Sequence, residues 1–141
     1  MPKVTTMRAM WKLVDAYTLD QQGKERDVNH LNEWGGMSRV LKMPVFTAWS
    51  DLTTYDKEAR MTRALIADDN WDGRVGANNQ ARWVAHSFQH CSGQAAFFVI
   101  HAVDTSAKPR SVAEIESGRI FVGQLEREGN LTYLRAQPRP L

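Results

Sequence analysis

The sequence predicts an α+β fold, with helices mainly in residues 7–91 and antiparallel strands mainly in residues 95–135. In the first two-thirds of the chain, apolar residues recur every three or four positions, which is typical of amphipathic helices. After Gly93 the apolar residues run almost without interruption or alternate between turn residues, which is typical of strands. Helices and strands that are segregated in this way favour the α+β class.

The first helix is predicted from one apolar stripe at helical spacing. Its members are Met7, Met10, Trp11, Val14 and Tyr17. The polar residues 20–29 then predict a loop, and Gly35–Gly36 predicts a chain reversal or a helix end after residues 31–34. A short helical turn is expected over residues 37–43, and the β-branched and aromatic residues 45–49 predict a strand.

Two further helices are predicted before the strand-rich part. Residues 55–67 have a mostly apolar face, with Thr53 as a plausible N-cap residue. A third helix is expected over residues 79–91, ended by Ser92 and Gly93. Its inner stripe is predicted to contain Ala81, Val84, Ala85 and Phe88.

The last third of the chain is predicted to form strands. Residues 95–103 are almost continuously apolar, which predicts a strand that is buried on both faces. Shorter strands are expected at residues 112–115 and 120–125. Residues 128–130 are predicted to turn the chain into a hairpin with residues 131–134. The proline- and arginine-containing residues 136–141 are expected to form a flexible, basic tail.

Composition limits the class of protein. The chain has 141 residues and a net charge of +2, which fits a single domain spanning residues 1–141 and a mildly basic surface. Cys91 is the only cysteine, so an intramolecular disulfide is excluded. Neither a secretory signal nor an apolar run of membrane-spanning length is seen. We therefore expect a soluble, cytoplasmic protein that does not contact membranes.

Tryptophan is unusually frequent for a chain of this length. The five residues are Trp11, Trp34, Trp49, Trp71 and Trp83. Most of them should be buried, because the indole ring is large and apolar. We expect at least one to be partly exposed at a site or a subunit contact, which makes a homo-oligomer a candidate state.

His86 and His90 form the first candidate site, because histidines four positions apart lie on one face of a helix. Trp83 belongs to the same face, which is predicted to point away from the inner stripe. The spacing matches that of the zinc-protease helix, but Ser87 stands where that motif has its glutamate base. No third ligand is evident, so no metal is predicted and no cofactor motif is found.

The second candidate is the glycine loop Gly73-Arg74-Val75-Gly76, which connects two predicted helices. Its backbone amides, the Arg74 guanidinium and the helix start near Asn78 could hold a phosphate. Over residues 45–125 the predicted order of strand, helix, glycine loop, helix and two strands resembles the K-homology domain. That resemblance implies binding of single-stranded nucleic acid at the loop. Asp72 departs from that family's pattern by placing a negative charge beside the loop.

We predict from these features a binding or accessory module for an anion, a small ligand or a nucleic-acid strand. The ligand would contact residues 73–79, with aromatic support from Trp71 and Trp83. The alternative is a small enzyme with a pocket around His86, His90 and His101, although no nucleophile or dinucleotide motif supports catalysis.

Overall fold

The structure is a computed structural model that describes residues 6–29, 33–71, 75–107, 110–116 and 118–140. Within these ranges the chain forms two α-helices and ten β-strands, which confirms the α+β class and makes it rich in strands. The helices are α1 (Met7–Leu13) and α2 (Val75–His90). The strands are β1 (Ala16–Leu19), β2 (Glu25–Asp27), β3 (Gly35–Ser38), β4 (Met43–Trp49), β5 (Thr53–Asp56), β6 (Met61–Asp68), β7 (Gln94–Ala102), β8 (Val112–Ile115), β9 (Arg119–Glu128) and β10 (Leu131–Pro140). Short 3-10 turns occupy Ser50–Leu52 and Asp69–Trp71.

All ten strands belong to one mixed sheet in the order β2-β1-β3-β4-β7-β9-β10-β6-β5, with β8 paired to the second half of β7. The β4–β7 pair is parallel, and every other pair in the sheet is antiparallel. Parallel neighbours need a long crossover connection. Here β5, β6 and α2 form that connection, which brings α2 onto one face of the sheet.

Strand β7 separates two hydrophobic cores, because successive side chains of a strand point to opposite faces. Phe97 packs into a core beneath α2, whereas Phe98 packs into a core beneath α1. The α2-side core contains Phe46, Ala48, Ala64, Ile66, Trp83, Val84, Ala95, Phe97, Val99, Phe121, Leu125, Leu134 and Ala136. The α1-side core contains Met10, Trp11, Val14, Ala16, Val28, Val45, Ala96, Phe98, Ile100, Ile115 and Ile120. This arrangement confirms the prediction of a strand buried on both faces.

The helix predicted over residues 55–67 is wrong, since these residues form the antiparallel hairpin β5–β6. The Asp56 carboxylate accepts hydrogen bonds from the backbone N–H groups of Glu58 and Ala59, both at 3.1 Å, and Arg60 adopts a positive φ of 55°. A turn therefore replaces the middle of the predicted helix. The K-homology arrangement, which requires a helix before the glycine loop, is overturned by the same observation.

Other boundaries in the first half of the chain also differ. The first helix ends at Leu13 rather than Tyr17, because Asp15 has a positive φ of 48° and starts a reversal into β1. The predicted loop 20–29 contains β2, and Gly35–Gly36 lie within β3. Residues 39–42 form a turn between β3 and β4 instead of a helix. Residues 31 and 32 of the segment before Gly35 lie outside the described residues.

Residues 136–140, which we expected to form a flexible tail, instead continue β10. They pair with β9 in register as far as Pro140 opposite Arg119. Strand β6 pairs with β10 only up to Ala136, so Pro138 and Pro140 lie where β10 has β9 as its single neighbour. Proline is tolerated on such an edge because its missing N–H is not needed by a second strand.

Candidate ligand-binding groove

Helix α2 buries a different face from the one predicted. Trp83 is only 2% exposed and donates its indole N–H to the Thr18 hydroxyl at 3.1 Å, while Ser87 is fully buried. Of the predicted inner stripe only Val84 is buried. Ala81, Ala85 and Phe88 are exposed. Trp83 is therefore a core residue rather than an exposed ligand contact.

His86 and His90 lie together on α2, with ring centroids 4.9 Å apart. The pKa of His86 is lowered, first by partial burial and second by the neighbouring charge of His90. Among the described residues, no group of three or more histidine, cysteine or acidic side chains could hold a metal ion. Burial also raises the pKa of the Cys91 thiol, which does not favour a nucleophilic role.

His101 is not part of this cluster. It lies seven residues along β7 from Gln94, which corresponds to about 23 Å of strand from the end that follows α2. Its Nε2 atom contacts the Glu116 carboxylate at 2.9 Å. The expected pocket around His86, His90 and His101 is therefore not formed, because β7 carries His101 away from α2.

The glycine loop is only partly described. Gly73, Arg74 and the side chain of Trp71 lie outside the described residues, so their predicted phosphate contacts stay predictions. Gly76 is buried, and a Cβ atom there would overlap the Trp34 indole. That glycine therefore permits the close approach of α2 to Trp34, a packing role. Asn78 is exposed on α2.

A cavity lies elsewhere, lined by β5, the starts of β6 and β9, and the end of β10. It measures about 820 Å³, and we call it the β5 groove. Its lining combines hydroxyl and amide groups (Ser50, Thr53, Thr54, Tyr55, Thr62 and Gln137), charged groups (Arg60, Glu116 and Arg119) and apolar groups (Val99, Phe121 and Pro138). The groove opens beside the α2-side core, to which Val99 and Phe121 belong.

Glu116 is held in place by several contacts. Its backbone N–H donates to the Val99 carbonyl at 2.9 Å, and its two carboxylate oxygens contact His101 at 2.9 Å and Arg119 at 3.2 Å. The Arg119 guanidinium lies 4.9 Å from the ring centroid of Phe121. These contacts fix one acidic and one basic group at the same wall of the groove.

Arg60 contributes a second positive charge from the β5–β6 turn. Within the described part of the chain, its guanidinium has no ion pair or hydrogen bond to another side chain. Two arginines and one glutamate give the lining of the groove one net positive charge. An uncompensated guanidinium in a polar groove favours a ligand that carries negative charge.

Sequence reasoning missed this site. Arg60 lies within residues 55–67, for which a helix is predicted, and no motif of the sequence contains Glu116. No local motif links them, because Glu116 is placed by the pairing of β8 with β7, whereas Arg60 is placed by the pairing of β6 with β5 and β10.

Comparison with family models, curated proteins and solved structures finds no match to this chain. Neither described helix is long and apolar enough to cross a membrane. The expected homo-oligomer and nucleic-acid contacts stay predictions.

Proposed function

We propose that this protein is a binding module that holds a small anionic ligand in the β5 groove. The observation that carries the proposal is the Arg60 guanidinium, which lines the groove without a partner among the described residues. Arg60 is an exposed side chain of the groove lining, so its guanidinium is available to pair with a ligand that carries negative charge. The cavity volume of about 820 Å³ falls within the range of small-molecule sites, about 300–1,000 Å³.

The remaining lining supports a carboxylate ligand with an apolar body. The Arg119 guanidinium and Glu116 carboxylate already neutralise each other at 3.2 Å, which leaves Arg60 as the group that selects charge. The exposed Pro138 provides apolar surface beside the almost buried Phe121 and Val99, and the threonine hydroxyls can donate to or accept from polar substituents. Phe121 is also stacked on Phe97 with ring centroids 4.7 Å apart, so this wall of the groove is continuous with the α2-side core.

A titration with benzoate and its neutral analogue benzamide tests this proposal. We expect benzoate to shift the backbone amide NMR signals of Thr53, Tyr55 and Glu116 at millimolar concentrations. Benzamide should bind at least about tenfold more weakly, since about 1.4 kcal/mol of charge recognition is lost. Equal binding of the two compounds, or shifts confined to other surfaces, would contradict the proposal.

Two charge variants of the same turn provide the matched comparison. Arg60→Asn removes the guanidinium with a residue that tolerates positive φ. Lys57→Asn removes one positive charge from the same turn at an exposed position that does not line the groove. Benzoate affinity should fall at least about fivefold in the first variant and stay within about twofold in the second. Equal losses would indicate general electrostatic attraction instead of a site.

A further inference from the structure

Strand β5 lines the groove with three of its four residues. Thr53, Thr54 and Tyr55 are consecutive, and all three line the cavity. Successive side chains of a strand point to opposite faces, so one face alone cannot supply three residues in a row. The cavity therefore reaches backbone atoms of β5 as well as its side chains, and it also extends over Thr62 of β6 and Pro138 of β10.

That edge has no strand beside it in the described structure. β5 is the last strand in the sheet order and pairs only with β6. The N–H of Thr53 donates to the carbonyl of Ser50, which closes the 3-10 turn. No other backbone hydrogen bond of residues 53–56 is formed outside the β5–β6 ladder among the described residues. Free N–H and C=O groups of an edge strand are a template for a further strand.

We propose that the anionic ligand of the β5 groove is an extended peptide that pairs with the β5 edge and places its C-terminal carboxylate on Arg60. This inference rests on the proposed function, because it assigns a chemical class to the same ligand. Strand addition obtains affinity from backbone hydrogen bonds and specificity from pockets for alternate side chains. The four residues of β5 offer about 13 Å of edge, which matches a peptide of about four residues.

The positive charge of Arg60 determines which end of the peptide is bound, because it pairs with a carboxylate and not with an amino group. Arg60 follows β5 across its turn and faces the groove without a counter-ion among the described residues. The Asp56 carboxylate at the same end of β5 already accepts two backbone N–H groups. A peptide that runs parallel to β5 would bring its C-terminal carboxylate to this end of the strand, where the Arg60 guanidinium can pair with it.

The decisive experiment uses the tetrapeptide acetyl-Thr-Val-Thr-Val with a free C-terminus, followed by backbone amide NMR. Two analogues carry N-methyl groups on alternate amides, one on the odd positions and one on the even positions. Every second N–H of an added strand faces its partner, so one analogue should lose at least about tenfold in affinity while the other retains it. The C-terminal amide should also bind about tenfold more weakly than the acid. This difference in affinity between the acid and the amide should become smaller in Arg60→Asn and stay the same in Lys57→Asn.

The outcomes separate this inference from the proposed function. If benzoate binds but both N-methyl analogues bind equally, the groove holds anions without strand addition and the peptide proposal is overturned. If neither benzoate nor the peptide acid binds, both proposals fail. A third outcome is a dimer in light scattering with perturbed Thr53–Asp56 signals in the absence of peptide. It would mean that a second copy of the chain occupies the edge, which also overturns the peptide proposal.

Discussion

At the scale of single residues, Asn79 joins α2 to the strand that precedes the central sheet pair. Its side-chain oxygen accepts hydrogen bonds from the backbone N–H groups of Trp34 at 3.1 Å and Gly35 at 2.7 Å. Its side-chain nitrogen donates to the Glu33 carboxylate at 3.4 Å, and Glu33 in turn binds Arg26 through two hydrogen bonds. One buried amide therefore satisfies the backbone at the start of β3 and connects it to an ion pair.

Replacing Asn79 should be costly, whereas replacing its neighbour should not. Asn79→Ala removes the side-chain oxygen that accepts from two backbone N–H groups, at a site that is 8% exposed. At about 1–3 kcal/mol for each such group, we expect a loss of about 3 kcal/mol in the free energy of unfolding. Asn78→Ala, at an exposed position one residue away, should change it by less than about 0.5 kcal/mol. Urea denaturation measures both, and similar losses in the two variants would refute this role for Asn79.

His86 makes stability depend on pH in a defined direction. Its pKa in the folded protein is lowered, first by burial and second by His90, so the unfolded chain binds the proton more tightly. The stability that a neutral His86 contributes is therefore complete above the ordinary histidine pKa of about 6.5 and decreases as the pH falls below it. We expect the melting temperature of His86→Gln to fall less than that of the native protein between about pH 7.5 and 5.5. His90→Gln should remove only the smaller of the two causes that lower the pKa of His86, and should therefore have a smaller effect. If the melting temperatures of all three proteins change with pH in the same way, this assignment is wrong.

At the scale of elements, the sequence predicted a segment correctly where its local pattern is compatible with only one type of secondary structure. The unbroken apolar run predicted β7, and the turn at residues 128–130 predicted the β9–β10 hairpin. The failure at residues 55–67 has a tertiary cause. Their apolar residues fit a helix, but the alternate residues Ala64 and Ile66 are buried in the α2-side core when β6 pairs with β10. The neighbouring strand therefore overrides the local periodicity.

The buried face of α2 also differs from the one that local periodicity predicts. Two stripes with helical spacing exist, and the sequence alone favoured the more apolar one. The structure buries a face between the two stripes, because Trp83 donates a hydrogen bond to Thr18 of β1 and Gly76 lets Trp34 approach. The buried residues of this face are Gly76, Asn79, Gln80, Trp83, Val84 and Ser87. The groove was unpredictable for a related reason, since Arg60 comes from a turn that was read as a helix and Glu116 is placed by its contacts with β7.

At the scale of the whole molecule, one sheet serves both cores. Phe97 and Phe98 are adjacent in β7 and fully buried, but they belong to the α2-side and α1-side cores respectively. Trp83 lies in the first core and Trp11, whose ring is 5.1 Å from Phe98, lies in the second. Loss of either core exposes one face of β7, the strand that pairs with both β4 and β9. The two cores should therefore unfold together.

This coupling can be measured with 5-fluorotryptophan NMR, with the two signals assigned through Trp11→Phe and Trp83→Phe. Phe97→Leu and Phe98→Leu should each lower the free energy of unfolding by about 1–2 kcal/mol, because each removes ring contacts in a packed core. In the native protein and in both variants, the Trp11 and Trp83 signals should lose their native intensity at the same urea concentration. Val103→Ala, at a 68% exposed position just beyond β7, serves as the control and should leave the midpoint nearly unchanged. A Phe98→Leu variant in which the Trp11 signal is lost at lower urea than the Trp83 signal would show that the cores are independent. Strand β7 would then have to stay folded with one face exposed to water. This is unfavourable, because the side chains on both of its faces are apolar and buried.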